Sequence, residues 1–219
     1  MRHLLLALTA CCLVAQAGAA PSLDLAIAYY SKVTTPEGVT REARYEERML
    51  RRPDHIWVTR SLPPLTAPAA PGMGHAEFNP VMLARHVVQQ DGKLRLEYVD
   101  RKARQLIAVP PSEYANVSFD GSWDNAWYVL DPKRVQTLPV SSRRSTVAGA
   151  VWREREQGGN FERVLWDGQR QVPLVIESGD RAGTVFHRVA VTVLPGLAAR
   201  LPWLALQGFS QKEYADFLD

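Results

Sequence analysis

Cysteine is nearly absent: the two that occur, Cys11 and Cys12, sit side by side in the first twenty residues. The remaining sequence therefore offers no disulfide, no thiolate metal site and no cysteine nucleophile. A surplus of positive charge is missing too, because 26 Lys and Arg against 23 Asp and Glu leave a formal net charge of only +3. A nucleic-acid binder needs a concentrated basic face to neutralise phosphates, so DNA and RNA are set aside as partners. Past the N-terminal segment no apolar run approaches the roughly 20 residues that cross a bilayer as a helix. Catalytic signatures are lacking as well. Gly121-Ser122 is followed by Asp124 where a nucleophile elbow would have glycine, and no helix-borne pair of histidines brackets a glutamate as zinc peptidases require. The sequence has no internal repeat.

What is present is a chain of 219 residues, 46% hydrophobic, large enough for one sizeable core or two small ones. Fifteen prolines and 14 glycines point to many turns and short strands rather than a helical bundle. The N-terminus reads as an address. Met1-Arg2-His3 gives a small positive region, 4–14 an apolar stretch, and Ala15 to Ala20 the small residues of a peptidase site. Cleavage after Ala17 or Ala19 satisfies the small-x-small rule, while cleavage after Ala20 would leave Pro21 first. Leu8-Thr9-Ala10-Cys11 imitates a lipobox, but the apolar run before it is very short and continues past it. Residues 1–19 are thus expected to be a secretory signal and 20–219 a single domain, exported to a bacterial periplasm.

Strict alternation dominates that domain. Leu94, Leu96 and Tyr98 point one way and Arg95 and Glu97 the other, with Asp91-Gly92 as the hairpin turn before them. The same reasoning predicts strands at about 25–33, 41–51, 55–60, 85–90, 105–109, 161–166, 172–178 and 184–194, eight or nine in all and mostly antiparallel because the connections are short. Asp131-Pro132 opens a short helix, proline fitting the first helical position. Ser210, with Glu213 three residues on, is expected to cap a closing helix over 210–218. Residues 61–80 hold five prolines, several alanines, Gly72 and Gly74, a composition that neither ladders nor propagates as a helix; such a loop is a lid or an insertion.

Leu50-Arg51-Arg52-Pro53-Asp54-His55-Ile56-Trp57 joins an outgoing strand to a returning one through an Arg-Pro turn. It resembles the turn of the periplasmic lipoprotein carriers of the LolA family. Arg163 to Asp167, then Pro173-Leu174, Glu177, Asp180 and Gly183, is similar to the strand meander of the related RseB/MucB envelope-stress regulators. The two stretches and their surroundings cover about half of the mature chain. The resemblance implies a mainly β fold with short helices (α+β): a curved antiparallel sheet, an unclosed half-barrel whose concave apolar face is covered by helices and loops. Such a hollow suits acyl chains, since apolar burial is non-directional and gains about 25 cal/mol per Å². It also implies that Arg52, matching the arginine of the turn, latches loop carbonyls with its five-donor fork. One departure is plain: carriers open with a long amphipathic helix, and here only a few residues precede the first strand.

Other residues admit plainer roles beside functional ones. Trp123 and Trp127 are neighbours if helical and would line a hydrophobic mouth or pack under the sheet; Trp57 belongs to the Arg-Pro motif. Met73, His75, Met82 and His86 offer soft ligands for exported copper, at a spacing that matches no metal motif. Asp167 and Asp180 fit turns, Glu177 a solvated sheet edge, and Arg153-Glu154-Arg155-Glu156 an exposed strand or turn. Arg143-Arg144 is a small basic patch. The reading is an exported non-enzymatic module without a cofactor. It binds a lipid, lipoprotein acyl chains or an envelope partner protein through Arg52, Trp57, Trp123 and Trp127, with a place in envelope-stress signalling; the alternative is a periplasmic copper binder using 73–86.

Overall fold

The computed structural model describes residues 20–62 and 78–217; the leader expected at 1–19 and most of the 61–80 loop fall outside them. Eleven strands form one sheet: β1 Leu23–Thr34, β2 Thr40–Arg52, β3 His55–Ser61, β4 Ala84–Gln90, β5 Lys93–Asp100, β6 Gln105–Val109, β7 Ala150–Gln157, β8 Asn160–Asp167, β9 Val172–Asp180, β10 Val185–Val193 and β11 Ser210–Glu213. Their order is β11-β6-β5-β4-β3-β2-β1-β10-β9-β8-β7. The sheet is curved, and its edge strands β7 and β11 do not pair, so it is not closed into a barrel. Every pairing is antiparallel except β11 on β6, which is parallel. The expected fold class is therefore what the chain adopts.

Alternation builds the sheet. Leu23, Leu25 and Ile27 of β1 register against Arg51, Met49 and Glu47 of β2, and on the other side Leu25 and Ile27 meet Val193 and Val191 of β10. Continuing across, Ile56, Val87, Leu96 and Val109 form one row over β3 to β6. Burying each such side chain stabilises the fold by about 1.5–3 kcal/mol relative to leaving it exposed. Short helices cover this face. A 3-10 turn at Pro111–Val117, α1 at Trp123–Tyr128, α2 at Pro132–Gln136 and a second turn at Tyr214–Phe217 bring Tyr114, Phe119, Trp127 and Tyr214 into the core. Ser122 caps α1 by accepting from Asn125 N, and Asp131 caps α2 by accepting from Lys133 N, as its Asp-Pro start predicts. Asp91 and Gly92 both have positive φ, 51° and 72°, which the tight hairpin between β4 and β5 needs.

One expectation fails locally. Residues 210–218 do not form a capped helix: Ser210–Glu213 is β11, and only Tyr214–Phe217 turns. The backbone bonds on offer along the free edge of β6 outweigh a local capping signal. The charged run 153–156 lies in β7, an edge strand whose outward face needs no apolar residues. Gly179 marks a tight crossing, since a Cβ there would sit 2.3 Å from the Val185 carbonyl oxygen.

Candidate functional site

The carbonyl latch expected of Arg52 is made by its neighbour. Arg51 is fully buried on the helix-covered face. Its Nε donates to Pro21 O (3.1 Å), Nη1 to Trp127 O (3.3 Å) and Gln171 O (3.1 Å), and Nη2 to Arg170 O (2.8 Å). One guanidinium thus joins the lead-in to β1, the body of α1 and the turn between β8 and β9, and it lies 5.4 Å from the Trp127 ring centre. No carboxylate among the described residues pairs with it, and burial lowers its pKa to about 10. Arg52 points to the other face. Its Nη1 approaches Asp24 Oδ1 at 2.7 Å and donates to Leu23 O and Arg51 O. Asp24 Oδ2 in turn accepts from Ala198 N at 2.8 Å, so Arg52 ties strand ends together on that side.

The tryptophans do not share a site either. Trp123 and Trp127 are stacked on α1 with ring centres 5.2 Å apart, and Trp127 belongs to the core under the sheet. Trp57 is buried on the opposite face against Ala84, Val99, Leu106 and Trp203. Beside it lies a group that sequence reasoning missed. His55 Nδ1 is 3.0 Å from His86 Nε2, His86 Nδ1 is 3.3 Å from Glu97 Oε2, and Arg95 Nε is 2.9 Å from Glu97 Oε1. The His55 ring stacks on Trp203 at 4.9 Å. Burial, reinforced by His86, lowers the pKa of His55. Strand register creates the cluster, so no spacing along the chain announces it.

On the helix-covered face the side chains of the chain itself fill most of the expected hollow. Phe78 meets Tyr98 and Tyr214 edge-on, and Tyr114 meets Phe119. A cavity of about 240 Å³ is open among the described residues of this face, and it is polar rather than greasy. Its wall runs across five strands: Tyr29 from β1, Tyr45 and Glu47 from β2, Val58 and Arg60 from β3, Arg85 from β4 and Tyr98 from β5. Pro80, Val81, Leu83, Val117 and Ser118 close it. Tyr29 and Tyr45 are stacked at 4.5 Å, and the Arg60 guanidinium lies 3.8 Å over the Tyr45 ring. Arg60 Nη2 reaches Glu47 Oε1 at 3.4 Å. Burial, with the Glu47 charge second, pushes the Tyr29 hydroxyl well above its usual range; Tyr45 is raised by the same two causes, and Tyr98 by burial. All three stay protonated donors. An open depression of about 680 Å³ on the opposite face, floored by Ala28 and Ala190 between Tyr30, Arg44 and Arg188, is the larger concavity.

The remaining sequence candidates resolve into structural roles. Asp167 accepts from Gln169 N, Arg170 N and the Arg170 side chain, and Asp180 accepts from Thr184 N. Glu177 is not at a solvated edge: β9 is an inner strand, and the carboxylate is buried against Arg188. Arg143 lies over the Trp152 ring at 4.8 Å. Met73 and His75 lie outside the described residues, Met82 is exposed, and His86 is engaged by His55. Among the described residues, no three His, Cys, Asp or Glu side chains are grouped to hold a metal ion, so nothing here supports the copper alternative.

No family model matches the chain, and no curated protein matches it significantly. Solved structures do. An uncharacterized conserved protein from Thermus thermophilus is 10% identical, with 88% of this chain and 91% of that one covered and a TM-score of 0.42. A putative outer membrane lipoprotein-sorting protein domain from Vibrio parahaemolyticus is 11% identical, over 80% and 87%, with a TM-score of 0.30. The MucA/MucB complex of Pseudomonas aeruginosa is 14% identical, over 80% of this chain but only 53% of that one, with a TM-score of 0.37.

Proposed function

We propose that this chain is an exported, non-enzymatic envelope module that binds a lipid, a lipoprotein or a partner protein at the helix-covered face of its sheet. Export is inferred from the leader-like composition of residues 1–19. The observation that carries the binding reading is the cavity of about 240 Å³ left between five strands and two short closing segments. Closure by the segments at Pro80 to Leu83 and Val117 to Ser118, rather than by a sheet, makes an entrance that opens without breaking strand pairs. Trp123 and Trp127 cover the same face from α1, and Arg51 holds that helix through the Trp127 carbonyl. Arg52 and Trp57, on the opposite face, are proposed as framework for the turn rather than as ligand contacts. Carriage and sensing use the same binding step.

Native mass spectrometry of the protein purified gently from a bacterial envelope tests this. The expected result is a population heavier than the polypeptide by the mass of an acyl-bearing molecule or a bound protein, released on denaturation. A bare polypeptide mass throughout, with no species retained on the chain in the envelope extract, overturns the reading.

A further inference from the structure

The cavity has more donors than its own acceptors satisfy. Two guanidinium groups, Arg60 and Arg85, face one carboxylate, Glu47. That carboxylate is already engaged by Arg60 and by the Tyr29 hydroxyl. Among the described residues no carboxylate pairs with Arg85; its neighbour across the strands is the Tyr98 hydroxyl. The Nε atoms of both Arg60 and Arg85 are buried without a hydrogen-bond partner. A buried donor left without an acceptor is destabilising, more so when charged, and two such donors on one cavity mark a place built for an acceptor. Surplus positive charge in a partly desolvated wall selects an anionic acceptor over a neutral one. Tyr45 and Tyr98, kept protonated chiefly by burial, add hydroxyl donors around it.

We propose that this cavity holds a carboxylate- or phosphate-type oxyanion, gripped by Arg85 and Arg60 with the hydroxyls of Tyr45 and Tyr98 around it. The inference rests on the binding function above for the source of the ligand, and it narrows that ligand to an anionic lipid. At about 240 Å³ the cavity falls below the roughly 300–1,000 Å³ of sites that bury an entire drug-sized ligand. It therefore receives the charged end of the molecule, while the apolar part leaves past Val58, Val81, Leu83 and Val117.

Isothermal titration of the delipidated full chain with laurate, dodecanol, acetate and inorganic phosphate, each below any micellar concentration, separates the possibilities. Laurate is expected to bind at least tenfold more tightly than dodecanol, and Arg85→Gln to reduce laurate to the dodecanol level while dodecanol binding stays unchanged. Arg60→Gln should give a smaller loss, since Arg60 is shared with Glu47; it also replaces Arg85→Gln should that variant fail to melt cooperatively. Equal affinity for laurate and dodecanol in the unsubstituted protein overturns the oxyanion site and leaves lipid binding standing. Arg85-dependent binding of phosphate or acetate with no laurate binding keeps the oxyanion site and removes the lipid as its source. No binding of any probe overturns both, leaving the cavity to water.

Discussion

At the scale of single residues, adjacent arginines have opposite fates because neighbouring positions in a strand face opposite sides. Arg51 serves four carbonyls, whereas Arg52 approaches one carboxylate and two carbonyls. A lysine keeps the charge of Arg51 but loses the planar fork. Arg51→Lys should therefore lower stability by about 2–4 kcal/mol through carbonyls left unpaired, seen as a drop in urea midpoint at constant slope. Arg52→Lys, which retains reach to Asp24, should cost less; the reverse order would show that the buried fork is not what fastens α1 and the β8–β9 turn. His55 gives a pH dependence of definite sign. Its pKa is lowered from 6.5 by burial and by His86, so just below that value the unfolded chain binds more protons than the folded one. Stability is then fully present above pH 6.5 and falls as pH drops through the window beneath it. Replacing His55 with Gln should flatten that decline in denaturation curves taken between pH 7 and about 5.5. An unchanged slope would assign the decline to other groups.

At the scale of elements, pairing decides where local signals are even-handed. Asp91-Gly92 and Asp131-Pro132 each admit one backbone solution, a tight hairpin and a capped helix start, and both form where the sequence places them. Ser210 to Leu218 admits two. A capping pattern favours a helix, yet β6 presents an unpaired edge, and the segment joins it in parallel register from Ser210 against Gln105 to Glu213 against Ala108. Its side chains there are exposed, so no alternation reveals the strand beforehand. The segment protects as well as extends the sheet. Deleting residues 210–219 should uncover the β6 edge and remove Tyr214 from the core. The expected outcome is a lower melting temperature together with concentration-dependent growth in light scattering. A monomeric truncation with an unchanged melt would show that β11 contributes neither cover nor stability.

At the scale of the whole molecule, a curved sheet of eleven strands holds two different environments back to back. One face carries the helices, the Arg51 latch and the polar cavity; the other carries the Trp57, His55 and His86 cluster under Trp203. Much of this was open to reading from the chain: the alternating strands, the two capped turns and an Arg-Pro corner between β2 and β3 are all local patterns. Which side of the sheet a residue serves was not. Met49 and Leu50 are both apolar, as are Ile56 and Trp57, so alternation alone leaves two equivalent faces at the corner, and only the motif resemblance points Arg52 and Trp57 to the binding side. Burial against β1 and the helices broke the tie in favour of Met49, Arg51 and Ile56. The polar cavity was equally invisible, because Tyr29, Glu47, Arg60, Arg85 and Tyr98 come from five strands and no spacing along the chain connects them. The sequence by itself determined a strand-rich chain with short caps, since those follow from bonds and contacts a few residues apart. Only the tertiary structure decided which face is inside and which charges meet there, because strand register brings together residues that no local rule connects.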